Sequence, residues 1–491
     1  MTGQAFCTCF LDITDLSYMD KITIEIILHL ICERGVNNFS ESTIFLMMFS
    51  KKLDIVKILV IMNKDCVLLL EKTMNKKQVT AVILGAGHRS TIYGDVSLRM
   101  PKKLKIVAVC DIDPAKANAA AERYGIPRER VYYTLDDLVK AGRLADMVIN
   151  GTLDDQHVMT ALPLLALGYD MLIEKPLATN REDLEKLYTA AREYGSRIFI
   201  CHVLRYASFY TAIRRVIESG EIGKVISINM AEDVSLHHMI VSYVRGQWNN
   251  ENLSAPLLLA KSCHDIDLMT WMMKGNAPKK VYSVGSDYSF SPDKAPENNG
   301  SRCLLDCPRE ADCPYSAGKH YLDEGIPHGF YVWKSEDLTR EEKIEALKTE
   351  NPYGRCVFRC GHEGVDHQVV TVTFEDGAVG VFTLTGGAPR DERRIQIVGT
   401  EGSVFGVFEE NKFIIRHQNS ACTYEERTVD ENIPALTLHG GGDEALILDF
   451  CDYISGGEPS ISFAELSESL SGHRVVFAAE ESRKSGMPVT I

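Results

Sequence analysis

From Val79 onward the apolar residues come in short, β-branched runs: Val79–Leu84, Leu104–Val109, Met147–Asn150, Met171–Ile173 and Ile198–Cys201. The stretches between them, Thr91–Arg99, Pro114–Tyr124, Gln156–Leu167 and Arg181–Tyr194, have helical composition. Pro114 stands at a helix start, where its missing N–H costs nothing. Strands apolar along both faces and alternating with helices predict a parallel sheet covered on each side. Residues 74–202 therefore read as one doubly wound domain. After about residue 203 the rhythm changes. A helix at Tyr210–Ser219 precedes a strand at Val225–Met230, and Val369–Phe374 and Ala378–Leu384 alternate polar with apolar positions. That period of two marks half-buried antiparallel strands, with Glu375-Asp376-Gly377-Ala378 as the hairpin turn. The expected class is α/β: an N-terminal doubly wound parallel sheet, then over 203–491 an α+β domain on an open, mainly antiparallel sheet.

Two stretches fall outside this pattern. Residues 1–73 are rich in Ile, Leu, Met and Lys, contain no proline, and carry glycine only at Gly3 and Gly35. Three readings fit them: a start assigned upstream of the true one, an accessory helical segment, or a targeting segment. Residues 286–362 form a loop-rich insertion heavy in Pro, Asn, Asp and Cys.

Composition narrows the class. A chain that is 45% hydrophobic and 25% charged folds, and 491 residues exceed one ordinary core. With 53 basic and 68 acidic side chains the net charge is −15, and no basic cluster is present. Nucleic acid is therefore not the expected partner, since phosphate contacts need concentrated Lys and Arg. No apolar run reaches the roughly 18 residues of a membrane span, and no secretory pattern is apparent. The 14 cysteines are scattered, several inside apolar runs (Cys110, Cys201, Cys263), which fits buried thiols in a reducing cytoplasm.

Candidate chemistry begins right after the first strand, at Gly85-Ala86-Gly87-His88-Arg89-Ser90. A dinucleotide needs a tight turn at the first glycine. At the second it needs bare backbone, so that the pyrophosphate can approach the following helix. The third position holds Ser90, small but not glycine. A GxG alone recurs in many turns; its place between strand and helix makes it the signature of a Rossmann domain. Asp111 closes the second strand, where a carboxylate accepts both ribose hydroxyls and repels a 2′-phosphate, favouring NAD over NADP. Asp113 satisfies the spacing equally.

After the fourth strand comes Glu174-Lys175-Pro176-Leu177. Pro176 restricts its neighbour and leaves Lys175 at a turned strand end. Ligands of open α/β sheets lie outside these ends, so a lysine there meets both nicotinamide and substrate. A surface lysine would share the pattern. Further on, His237-His238 and Arg245-Gly246-Gln247-Trp248 offer aromatic and guanidinium surfaces suited to a sugar face, or a structural loop. His439-Gly440-Gly441-Gly442-Asp443 reads as a cleft-facing loop and helix cap.

From about Val79 to its C-terminus the chain resembles the Gfo/Idh/MocA oxidoreductases, a family that includes glucose–fructose oxidoreductase and inositol dehydrogenase. The resemblance is carried by Gly85-Ala86-Gly87 with Arg89, Asp111, Thr152 to His157, Glu174-Lys175-Pro176-Leu177, Arg205-Tyr206 and His264-Asp265-Ile266-Asp267. It implies a Rossmann domain and an α/β domain with nicotinamide facing substrate between them, and homodimers or homotetramers packed through the open sheet. It further implies that Lys175 polarises the reacting oxygen and that His264 is the general base or acid. Cofactor-side residues would be Gly85, Gly87, His88, Arg89, Asp111, Thr152, His157, Glu174, Lys175 and Arg205. The positive ring of NAD⁺ would depress the Lys175 pKa.

One departure stands out. Many members carry Asp four residues before this histidine; here that position is Ala260, followed by Lys261. On a continuous helix residues 261, 264 and 265 share a face, which puts Lys261 and Asp265 beside the substrate with Arg245 and Trp248. A cation there points to an anionic or differently oriented substrate.

The insertion holds Cys303, Cys307, Cys313, Cys356 and Cys360. Cys307, Cys313, Cys356 and Cys360 could assemble a structural zinc site; free thiols, or a redox or iron–sulfur role, are the alternatives. The leading function is an NAD(H)-dependent oxidoreductase moving hydride between nicotinamide and a hydroxyl carbon of a sugar, sugar acid or polyol. The alternatives are a redox-neutral NAD-dependent glycosidase or lyase on a sugar, and a non-catalytic nucleotide sensor. The presence of Lys175 and His264 favours catalysis.

Overall fold

The computed structural model describes the backbone of residues 42–51 and 54–63 and, from Lys77 to Ile491, all but positions 253, 274, 324–326, 328, 334–336, 420, 422, 431–437 and 465. The chain divides into two units, Met1–Lys76 and Lys77–Ile491. In the first, Ser42–Lys51 pairs antiparallel with Asp54–Asn63. These positions form a hairpin, not the helical segment weighed for them.

The second unit opens with six parallel strands. Their order across the sheet is Val131–Tyr132, Leu104–Cys110, Val79–Leu84, Met147–Asn150, Asp170–Ile173, Ile198–Ile200. Every residue of Met147–Asn150 and Asp170–Ile173 is buried, as a sheet covered on both faces requires. Helix ends follow local chemistry. Pro114–Tyr124 starts where the Asp113 side chain accepts the Ala115 N–H and stops at Gly125 in the left-handed region. Arg181–Tyr194 is capped by Asn180 and buries Leu184, Leu187, Ala190 and Ala191 as one stripe. The helix expected at Thr91–Arg99 begins earlier, directly after Gly87, and is divided at Asp95 into His88–Gly94 and Val96–Arg99.

The nine-stranded second sheet runs Tyr424–Asp430, Lys412–Gln418, Gly402–Val407, Glu392–Gly399, Val225–Ser235, Val379–Ala388, His367–Phe374, Pro278–Ser286, Val489–Thr490. Only Val225–Ser235 and Val379–Ala388 are parallel neighbours. Gln368, Val370, Val372 and Phe374 point inward, the alternation read from the sequence. Ile266, Met269 and Val475, from the helices Cys263–Met272 and Leu466–Ser485, join the core of this sheet. The helix Gly442–Ile454 instead returns to the first sheet, where Phe450 stacks on Phe199 with centroids 4.8 Å apart. The Cys-rich insertion leaves between two paired strands, Pro278–Ser286 and His367–Phe374, and builds a small core around Cys303, Tyr321, Leu347 and Tyr353. No helix among the described residues is long and apolar enough to cross a membrane.

Candidate active site

The strand Val79–Leu84 ends at Gly85, which donates its N–H to the Cys110 carbonyl at 2.8 Å and turns the chain with φ +79°. A Cβ there would lie 2.8 Å from the Gly151 carbonyl oxygen, so glycine is required. Gly87 caps the helix His88–Gly94, and a Cβ built on it meets nothing within 4 Å. That open backbone is what a pyrophosphate needs. Ser90 is fully buried, and a Cβ on Gly151 would come within 2.1 Å of its hydroxyl. The close packing that a third glycine usually allows is thus provided from the other side, by Gly151.

Asp111 and Asp113 divide the two roles that spacing left open. Asp111 accepts the Ala86 N–H at 2.6 Å, tying the second strand's end to the glycine turn. Asp113 is committed to capping the next helix. Ile112, 87% exposed, sets an apolar surface beside the Asp111 carboxylate. Thr152 lies in the facing loop, its hydroxyl donated to Asn150 at 2.8 Å. These groups gather where strand order reverses, the usual seat of a nucleotide.

Glu174 is the hub of the loop that carries Lys175. It accepts from Arg89 Nε at 2.8 Å, from the Tyr93 hydroxyl at 2.7 Å and from the Lys175 N–H at 2.9 Å. Burial raises its pKa, but Arg89 and Lys175 outweigh burial and hold the carboxyl below its usual range. Arg89 also reaches the Tyr93 hydroxyl and, at 2.5 Å, Asp443, whose other oxygen faces His439 Nδ1 at 2.7 Å. Two buried histidines fix the same loop. His157 faces the Pro176 and Thr152 carbonyls, at 2.7 and 3.1 Å, and His473 accepts the Leu177 N–H at 3.0 Å.

So held, Lys175 donates its Nζ to the Ala260 carbonyl at 2.7 Å. Burial favours the neutral amine, but Cys263, Asp154 and Glu174 prevail and raise its pKa. The expected depression would come from the cofactor's ring; the protein's own groups work the other way and keep the ammonium. Asp154 also accepts the Trp248 indole N–H at 2.8 Å, which draws that ring to the nucleotide side of the cleft.

His264 sits in the first turn of Cys263–Met272, 8% exposed, and its Nδ1 has no partner among the described residues. Its ring meets His202 edge-on, centroids 5.8 Å apart. Burial, then the charge of Lys175 and the neighbouring His202, push its pKa well below the ordinary value. His264 is therefore a neutral imidazole, able to accept a proton. Beside it Glu232 pairs with Arg393 and with Lys261 at 3.2 Å, and accepts the Ser262 hydroxyl at 2.6 Å. Burial would raise the Glu232 pKa, yet Arg393 and Lys261 bring it down to about 2. Burial and then the Glu232 charge push Asp265 well up, so it carries its proton.

Several expected site residues lie elsewhere. The helix breaks at Lys261 and Ser262, so residues 261, 264 and 265 share no continuous face. Lys261 is matched by Glu232, a carboxylate from the second sheet. Asp265 is fully buried against Arg393 and is withdrawn from substrate. Arg205 is fully buried, forked onto Asp267 at 2.7 and 2.8 Å and bonded to Glu468 at 3.0 Å, which removes it from the cofactor set. Arg245 is buried in the root of the insertion, its N–H groups spent on the Arg355 and Tyr315 carbonyls, the Tyr321 hydroxyl and Cys303. His157, Arg89 and Glu174 position the loops rather than offering free groups to a ligand; His88 opens the helix at the mouth of the crevice. Cys360 points to the Val244 carbonyl at 3.0 Å, away from the other three cysteines of its expected set.

Glu232, Arg393, His202 and His473 were not foreseen, whereas Asp443 belongs to the loop read as cleft-facing. Arg393 stands in the charged run Asp391-Glu392-Arg393-Arg394, and the pairing of Glu392–Gly399 with Val225–Ser235 brings it opposite Glu232.

A glycine turn in a doubly wound sheet, and a lysine and a histidine meeting across two domains, define a nicotinamide-dependent oxidoreductase. Residues 79–202 match the NAD-binding Rossmann domain of the Gfo/Idh/MocA oxidoreductase family, and residues 214–491 match its C-terminal alpha/beta domain. The chain belongs to that family. YteT of Bacillus subtilis strain 168, named as an oxidoreductase, is 25% identical over 373 residues, 72% of this chain and 83% of that protein. An inositol 2-dehydrogenase of Burkholderia vietnamiensis is 28% identical over 171 residues, 34% of this chain and 47% of that one. Among solved structures, levoglucosan dehydrogenase in complex with NADH and levoglucosan is similar in fold, with a TM-score of 0.60 and 17% identity over 84% of this chain and 99% of that one. The WlbA dehydrogenase of Chromobacterium violaceum, in complex with NADH and UDP-GlcNAcA, gives a TM-score of 0.56 and 18% identity over 85% and 97%.

Proposed function

We propose that this protein oxidises or reduces a hydroxyl-bearing carbon of a sugar-like molecule with NAD(H), and that its preferred substrates carry a carboxylate. The first part rests on one observation. Lys175 is bonded to the carbonyl four residues before His264, close enough that its charge helps to keep that imidazole neutral. The open backbone at Gly87 and the carboxylate of Asp111 suit NAD.

When bound, NAD(H) supplies a two-electron hydride acceptor or donor. Lys175, as an ammonium, donates a hydrogen bond to the reacting oxygen and polarises it. His264, neutral, takes the hydroxyl proton in oxidation and returns it in reduction. Oxidation starts from a charged lysine and a neutral histidine, and the surroundings favour both of these states.

The preference for an anion comes from the charges beside His264. Lys261 and Arg393 bring two cations there, both paired with the Glu232 carboxylate. The NADH complexes of the levoglucosan and WlbA enzymes, with their carbohydrate ligands, support the substrate class. The outer face of the nine-stranded sheet exposes Ile226, Tyr282, Val284 and Phe405, which we take as the contact of a homodimer or homotetramer.

The test is a panel of sugars, uronic acids and polyols followed by nicotinamide absorbance. Net NADH formation is expected, best with the acids. Lys261→Met should raise KM for an acid about 10-fold, the loss of one ~1.4 kcal/mol charge interaction, and leave a neutral polyol nearly unchanged. Glycoside cleavage without net NADH would overturn the redox reading; equal effects of Lys261→Met on both classes would overturn the anion preference.

A further inference from the structure

The insertion between Pro278–Ser286 and His367–Phe374 contains a cavity of about 70 Å³ lined by Cys303, Cys307, Cys313 and Cys356 together with Arg245. Cys303 and Cys356 are buried, and Cys307 and Cys313 are partly exposed. The Cys303 N–H bonds to the Gly354 carbonyl at 2.9 Å and the Cys356 N–H to the Ser301 carbonyl at 2.9 Å, so two distant chain segments present these thiols side by side. The Cys303–Cys307 spacing falls within the range of zinc ligand pairs.

Arg245 supplies the second observation. It is 1% exposed, and its guanidinium reaches two carbonyls, a phenol and, at 3.4 Å, the Cys303 sulfur. No carboxylate among the described residues pairs with it. A buried cation without a counter-charge is costly, and neutral thiols do not provide one.

We propose that Cys303, Cys307, Cys313 and Cys356 bind one zinc ion as four thiolates, and that this centre staples the insertion and neutralises Arg245. Binding breaks four S–H bonds, forms four S–Zn bonds and releases four protons to solvent. The product, one dication with four thiolates, has a net charge of about −2, directly beside the guanidinium. Among the described residues no three His, Cys, Asp or Glu side chains already stand in coordinating geometry. The four thiols line one cavity, and binding the ion draws them together. Cys360, held at the Val244 carbonyl, stays outside the set.

The experiment is metal analysis of the full chain purified without chelator, alongside the Cys313→Ser and Cys360→Ser variants. About one zinc per chain is expected, lost in Cys313→Ser and kept in Cys360→Ser. Should Cys313→Ser not fold, cobalt exchanged into the wild-type chain decides: four-thiolate coordination gives intense sulfur-to-cobalt charge-transfer bands and tetrahedral visible bands. Absence of zinc, iron with acid-labile sulfide in its place, equal loss in both variants, or a cobalt spectrum without thiolate bands would each overturn the proposal.

Discussion

Lys175 Nζ is bonded at 2.7 Å to the backbone carbonyl of Ala260, four residues before His264. A carbonyl orients the ammonium without neutralising it. The lysine charge therefore stays available to a developing oxyanion and also acts on His264. Lys175→Ala should lower turnover at least ~100-fold, the range of a general acid–base group. NAD affinity, measured by fluorescence titration, should stay within a few-fold, because the glycine turn and Asp111 are untouched. A variant that retains most of its turnover would place the chemistry elsewhere.

Burial of neutral histidines makes stability depend on pH. Burial lowers His202 to about 3, His264 well below its ordinary value, and His473 as well. In the unfolded chain the same rings titrate near ~6.5. Below that pH the unfolded chain takes up protons that the folded one refuses, so acid favours unfolding. Between about pH 6.5 and 5 each ring contributes up to ~1.4 kcal/mol of lost stability per pH unit, and Asp265, whose raised pKa acts in the opposite direction, offsets part of this. Urea midpoints across this window should fall with pH, and His202→Gln should flatten the slope by about one proton's share.

On the proposed assignment, cofactor choice turns on Asp111. Its carboxylate accepts the Ala86 and Asp113 N–H groups, at 2.6 and 2.8 Å, and keeps further lone pairs for a ribose. Asp111→Ala should weaken NAD binding and raise NADP binding relative to it, since the repulsion of a 2′-phosphate is gone. The ratio of the two dissociation constants reads this directly; an unchanged ratio would move ribose recognition to another group.

Local signals were legible wherever one residue decides one feature. Pro114, Asn180 and Gly195 set helix ends, Gly85 sets the nucleotide turn, and Gly377 closes a hairpin with φ +92°. Two-sided apolar runs and period-two alternation distinguished the two sheets. What could not be read was pairing at a distance. Glu232 and Arg393 are 161 positions apart and meet only through strand register. Lys261 was read on a continuous helix because nothing in Leu257–Met272 announces the break at Ser262. Arg205 and Arg245 drew a functional reading because a guanidinium in a sequence looks alike whether it faces a ligand or a buried acceptor.

Arg205 allows that last distinction to be measured. Its guanidinium is fully buried, forked onto Asp267, bonded to Glu468, and lies over the Trp271 ring at 5.4 Å. Truncation would strand the Asp267 carboxylate beside the neutral ring of His202, 3.5 Å away, and breaking a buried pair from one side costs about 3–5 kcal/mol. Arg205→Met should therefore lower the unfolding free energy by that amount and the urea midpoint with it, while the KM for NAD of the protein that remains folded stays near the wild-type value. A cofactor ligand would behave the other way, with KM rising and the midpoint unmoved. Because Asp267 shares a helix with His264, a residual effect on kcat is expected, without any change in the ratio of NAD to NADP affinities.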